Sequence, residues 1–155
     1  MNVCIHLNMY QDDVVCLMDT RMWSIVHQAK HDTEINELTW SPDGELFYVT
    51  TGRGQVRVYQ SPSMEHAFSI KTNSANCYCI DFDPQGRYFA VGGADALVSL
   101  WDTQDAICLQ TYPELEWPIR ALSFSHDDVY LASASEDLFI EIVCLRNAWL
   151  ITHLI

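Results

Sequence analysis

The chain has 155 residues, 49% of them hydrophobic, and carries 21 acidic side chains against 8 basic ones for a formal charge of −13. That hydrophobic content is ample for a buried core, while the acid excess repels phosphate and argues against direct binding of nucleic acid, which depends on cationic neutralisation of the backbone. The six cysteines, at 4, 16, 77, 79, 108 and 144, form no C-x-x-C pair, which indicates a cytosolic or nuclear compartment; neither a signal peptide nor an apolar run of about 18 residues is present, so a soluble protein is expected.

In chain order, Met1 to Asn8 shows no blade character, whereas Gln11 to Asp19 resembles a stretch 83 residues later, Ala94 to Asp102. Ile35 to Gln60 then contains strand, turn and strand, with the turn at Ser41-Pro42-Asp43-Gly44. Pro suits the second position of such a turn and Gly supplies the positive φ that ends it. Gln60 to Asn76 is polar and reads as a surface connection. Tyr78 to Phe82 alternates again, Asp83-Pro84-Gln85-Gly86 repeats the turn, Tyr88 to Gly93 is the next strand, and Ala94-Asp95-Ala96 turns the chain into Leu97 to Trp101. A fourth strand is predicted at Ala106 to Gln110, followed by a loop to Pro118. From Ile119 the order recurs, with the polar turn Ser125-His126-Asp127-Asp128 and a last strand at Ala148 to Thr152.

Ile35 to Gln60, Cys77 to Asp102 and Ile119 to Cys144 superimpose without a gap at a spacing of about 42 residues, the length of one four-stranded propeller blade. Trp40, Phe82 and Phe124 coincide, as do Phe47, Phe89 and Leu131, then Tyr59, Trp101 and Val143. Gln11 to Asp19 matches Ala94 to Asp102 and is the tail of a preceding blade. The predicted fold is therefore all-β: a partial propeller over residues 1–155, with about three four-stranded antiparallel blades and the remnant of a fourth. Its units are 11–34 (tail and loop), 35–76, 77–118 and 119–155. Propellers close with roughly 4 to 8 blades, so about 3.7 units do not close a ring.

The sequence contains no H-E-x-x-H, G-x-S-x-G or P-loop motif, and an enzyme is not expected. Cys77 and Cys79 lie two apart on one strand, hence on one face, where small buried residues are expected rather than metal ligands. Gly52-Arg53-Gly54 and Gly92-Gly93 sit at strand-to-strand turns and answer a conformational need. Trp117, beside Pro118 in the loop entering a first strand and close to Arg120, has the composition of a partner-binding anchor; packing against a neighbouring blade is the alternative.

Ala94 to Asp102, with an Asp at the turn, alternating apolar residues and a terminal Trp-Asp, resembles the closing signature of a WD40 repeat. The resemblance implies a structural hydrogen-bonded network of loop His, turn Asp, strand hydroxyl and Trp, carried over here to His31, Asp95, Trp101 and Asp137, with Ser133 or Ser135 as the hydroxyl. Asn73 and Leu115 replace the loop His in the later units, Arg53 replaces the first turn Asp, and Tyr59 and Val143 replace Trp. No unit holds the full set, and blades less rigid than regular repeats are expected.

Taken in order, Ala-Asp-Ala-Leu-Val-Ser-Leu-Trp-Asp, Trp117-Pro118-Ile119-Arg120 and the run Leu131 to Asp137 resemble the WD-repeat subunits of the THO complex over about residues 11 to 143. The resemblance implies a nuclear interaction scaffold in the THO/TREX assembly, which couples transcription to messenger-RNA processing and export. It implies other THO/TREX subunits as partners, RNA association only through the complex, and neither cofactor, metal, small-molecule substrate nor membrane. A WD40 adaptor outside export, such as a ubiquitin-ligase substrate receptor or a histone-binding module, is the alternative.

Overall fold

A computed structural model describes residues 13–136, 139–146 and 149–154. Strands β1 (Val14–Asp19) and β2 (Ser24–Lys30) form an antiparallel hairpin. Three four-stranded antiparallel sheets follow, each pairing its strands in chain order. Blade one holds β3 (Ile35–Trp40), β4 (Leu46–Thr51), β5 (Gln55–Gln60) and β6 (His66–Lys71); blade two holds β7 (Cys77–Phe82), β8 (Tyr88–Gly93), β9 (Val98–Asp102) and β10 (Cys108–Tyr112). Blade three holds β11 (Ile119–Phe124), β12 (Tyr130–Ser135), β13 (Ile140–Cys144) and β14 (Trp149–Leu154). This is the expected partial propeller, with two additions: the region read as tail and loop contains a second strand, β2, and the stretch Gln60 to Asn76, read as a surface connection, contains β6, the fourth strand of its blade.

First strands lie side by side, β3 against β7 and β7 against β11, while the fourth strands β6 and β10 are mostly exposed and form the rim. Because the side chains of a strand alternate between faces, each sheet feeds two cores. Phe47, Val49 and Tyr59 pack with Val15 of the hairpin. Tyr48, Val56 and Val58 meet Phe82, Phe89 and Trp101 between blades one and two, and Ala90, Val98 and Leu100 meet Ile119, Leu131 and Val143 between blades two and three. The periodic aromatic positions are thus inter-blade residues, each turned toward the blade before its own.

The first turn of each blade has one geometry in all three. Gly44, Gly86 and Asp128 donate their N–H groups to the carbonyls of Ser41, Asp83 and Ser125 at 2.8, 2.9 and 3.1 Å. All three adopt positive φ, at 74°, 71° and 58°. Asp tolerates this region better than most side chains, which is how the third turn keeps its shape without glycine.

A β-bulge recurs at the start of every first strand, between Ile35 and Leu38, Cys77 and Cys79, and Ile119 and Ala121. It corrects the expectation that Cys77 and Cys79 share a face. An extra residue in one strand shifts the alternation, so Cys77 packs into the core toward blade one and Cys79 into the core toward blade three.

The blades are also joined by polar bonds between first strands. Glu37 Oε2 accepts the Ile80 N–H at 2.7 Å, and Asp81 Oδ2 accepts the Phe124 N–H at 3.1 Å. Asn36 donates to the Cys77 carbonyl at 2.7 Å. Each carboxylate satisfies a backbone donor that faces away from its own sheet.

Candidate interaction face

Strands alternate in direction, so the loop entering each first strand and the turn between second and third strands meet at one end of the blade. A repeated bond ties them: Gly52 N–H to the Glu34 carbonyl at 2.9 Å, Ala94 to Asn76 at 2.8 Å and Glu136 to Pro118 at 3.2 Å. Upon this clasp each blade builds a different side-chain cluster.

In blade two, Asp95 Oδ1 accepts from Asn73 Nδ2 at 2.8 Å, and Asp95 Oδ2 accepts the Ser74 backbone N–H at 2.7 Å and its hydroxyl at 2.9 Å. Burial alone would raise the Asp95 carboxyl, but these donors together hold it below its ordinary value. Trp101 Nε1 donates to Ser99 Oγ at 2.8 Å. Asp95 thus bonds Asn73 and Ser74, and Trp101 separately bonds Ser99; the sequence reading did not assign these three partners to the network. Ser99 could have been found by period: two residues before Trp101 on one strand, it shares the Trp face.

In blade one, the buried His31 meets Tyr59, its Nδ1 3.2 Å from the phenol oxygen and the two rings edge to face at 5.4 Å. Burial, and secondarily the Arg57 charge, holds His31 below its ordinary value of 6.5. Its Nε2 has no hydrogen-bond partner among the described residues. Arg53 and Arg57 converge on Asp32, at 3.2 and 2.7 Å.

In blade three, Ser133 Oγ donates to the buried Glu141 at 3.2 Å. Ser135 pairs with Ile119 across β11 and β12, and Asp137 lies outside the described residues. The described positions carried over from the WD40 signature thus lie in different blades, as their spacing in the sequence requires, His31 beside blade one, Asp95 and Trp101 in blade two, and Ser133 and Ser135 in blade three.

Bulges re-aim side chains. In blades two and three the residues they displace are Tyr78 and Arg120, which come together: the Arg120 guanidinium lies 4.0 Å from the centroid of the Tyr78 ring. Arg120 Nε also donates to Glu136 at 2.7 Å. Trp117, 54% exposed, stands three residues earlier on the same loop end. A cation–π pair, a carboxylate and an exposed indole give this end of blades two and three the composition of a protein-binding surface.

Burial raises the Cys77 thiol to about 11 and the Cys79 thiol to about 12, which keeps both protonated and poor nucleophiles at neutral pH. Among the described residues, no group of three or more His, Cys, Asp or Glu is placed to hold a metal ion.

Residues 7–83 match the family model for the anaphase-promoting complex subunit 4 WD40 domain, and residues 65–102 and 106–142 match the WD domain, G-beta repeat. THO complex subunit 3 of Arabidopsis thaliana is 48% identical over 137 residues, covering 88% of this chain and 44% of that protein. WD repeat-containing protein AAC3 of Dictyostelium discoideum is 34% identical over 123 residues, covering 76% of this chain and 26% of that protein. The chain therefore spans less than half the length of these relatives. The crystal structure of RRP9 WD40 repeats superimposes with a TM-score of 0.77 over 93% of this chain and 42% of that one, at 18% identity, a likeness of fold alone. With repeat models matched along residues 7–142 and successive four-stranded blades at one period, the chain belongs to the WD40-repeat family.

Proposed function

We propose that this chain is a non-catalytic interaction scaffold of the THO complex, acting in the nucleus in transcription-coupled messenger-RNA processing and export. The observation that carries the proposal is the 48% identity to a THO complex subunit 3 over 88% of the chain. The partners are other THO/TREX subunits, with Trp117 and Arg120 as contact residues. RNA is reached through them rather than directly, in keeping with a formal charge of −13.

Affinity purification of the tagged protein from nuclear extract, read by mass spectrometry, tests this. Recovery of THO subunits is expected, as is reduced recovery with the Trp117→Ala, Arg120→Ala double variant. Recovery of a ubiquitin ligase or of histones in their place would overturn the assignment in favour of a WD40 adaptor outside export.

A further inference from the structure

The opposite end of the blades, where first- and third-strand turns meet, holds a second feature. Backbone bonds from Thr103 to the Arg87 carbonyl and from Leu145 to the Val129 carbonyl, both 2.9 Å, join these turns within blades two and three. Two solvent-open clefts flank Tyr88 there. One of about 350 Å³ runs beside Asp102, Thr103 and Gln104; the other, about 270 Å³, lies between the blades beside Gln85, Asp127, Asp128, Leu145 and Arg146. Drug-sized ligands fill roughly 300–1,000 Å³, so the inter-blade cleft suits one long side chain better than a metabolite.

The cleft walls contain unmet hydrogen-bonding capacity. The Asp128 side chain is only 7% exposed. Its Oδ2 receives Gln85 and, at 3.4 Å, Arg87, but its buried Oδ1 has no partner among the described residues. The Thr103 hydroxyl on the other cleft is likewise buried without a partner. A buried carboxylate oxygen without a donor is costly, so the charge of Asp128, a residue lining the cleft, is incompletely compensated and a cation brought into the cleft offsets it. The surrounding charge favours a cation too: Asp83, Asp102, Asp105, Asp127 and Asp128 stand at this end against Arg87 and Arg146. Arg87 is already engaged by Asp83 and Asp128 and lies over the Tyr88 ring at 5.3 Å.

We propose that this turn end of blades two and three docks a basic segment of a partner protein, one lysine or arginine side chain entering the inter-blade cleft to offset the charge of Asp128. Its aliphatic stem lies along Leu145 and Tyr88, and Asp127 supplies a second acidic contact at the mouth. This surface is at the other end of the strands from Trp117 and Arg120, and the proposal does not rest on membership of the THO complex.

Fluorescence anisotropy with the full chain, using a labelled oligolysine and a Gly-Ser peptide of equal length, tests it. Oligolysine binding is expected, weakening with salt, and no binding of the neutral peptide. The Asp127→Asn, Asp128→Asn double variant, in which Asn tolerates the positive φ at 128, weakens oligolysine binding at least ~10-fold. Arg146→Ala, which removes a competing cation, tightens it. Glu114→Gln with Glu116→Gln removes the same charge at the other end and leaves affinity unchanged. Equal weakening by both double variants would show a diffuse acidic field and overturn the site. If circular dichroism shows that the Asn variant is unfolded, Arg146→Ala decides: unchanged or weaker binding also overturns it.

Discussion

Arg53 and Asp95 occupy the same turn position in consecutive blades and close the same loop with opposite charge: Arg53 donates to Asp32, whereas Asp95 accepts from Ser74. Asp32 and Ser74 are themselves one period apart. The clasp is therefore kept while its polarity is reversed, and its two versions differ in exposure. Arg53 and Asp32 are 59% and 62% exposed, while Asp95 binds part-buried Asn73 through a charge-assisted bond.

Asp95→Ala removes the acceptor of four donors, Asn73 Nδ2, the Ser74 N–H and hydroxyl and the Leu97 N–H, and leaves Asn73 unpaired on that side. It is expected to lower stability by about 1.5–3 kcal/mol. Arg53→Ala breaks a solvent-exposed pair and is expected to cost about 0–1 kcal/mol. Urea unfolding midpoints at neutral pH compare the two; equal losses would mean that exposure does not set the strength of the clasp.

Acid is expected to act on the carboxylates in opposite directions. Asp95 is held below its ordinary value of 3.8, so it contributes stability present above that value and lost as pH falls through its folded value. Asp81 is raised above 3.8 by burial first. Its ionisation disfavours the fold at neutral pH, and that cost is relieved as pH falls from its folded value toward 3.8. Asp81→Asn keeps the acceptor for Phe124 without the charge. Its stability relative to the parent is expected to be greatest at neutral pH and to decline toward about pH 4, measured by paired unfolding curves.

His31 is neutral and buried, with its folded value below 6.5. Its contribution is present above 6.5 and is lost as pH falls below it, because the imidazolium must then be accommodated in a desolvated site. His31→Asn, which copies the residue at position 73, is expected to remove this loss. Thermal unfolding about one unit either side of 6.5 measures it.

Gly54 and Gly44 both adopt positive φ, at 71° and 74°, but differ in surroundings. A Cβ at Gly54 would stand 2.4 Å from the carbonyl oxygens of Asn73 and Ala75, whereas one at Gly44 would meet nothing within 4 Å. Gly44→Ala is expected to cost about 1 kcal/mol from backbone conformation. Gly54→Ala is expected to cost at least ~3 kcal/mol, since backbone atoms must move. Comparison of the two unfolding midpoints checks this.

Much of the blade architecture is legible in the sequence because both signals that carry it are local. Alternation marks strands such as the one read at Tyr78 to Phe82, and Pro-Asp-Gly or Pro-Gln-Gly marks the turns. The bulge at Tyr78 is not legible, since it changes which face a residue takes without changing composition; Cys77 and Cys79 were misplaced for that reason. The network was only half legible. Asn73 substitutes for a His by offering an amide donor to Asp95, a chemical equivalence that a search for one residue type passes over. The meeting of Arg120 with Tyr78, one period apart, depends on two bulges placed on neighbouring first strands.

The bonds from Glu37 to Ile80 and from Asp81 to Phe124 run in one direction. In both, the earlier blade supplies a first-strand carboxylate and the later one a backbone N–H, so the two flanks of a blade are not alike, although Asn36 and Arg87 donate across the same seams in the other sense. The repeats look interchangeable in sequence, yet they form an ordered chain. A circular permutant joined elsewhere in the array would keep these couplings, because it moves the ends and not the neighbours. Exchanging two blades would set a carboxylate against an edge that was never shaped to receive it.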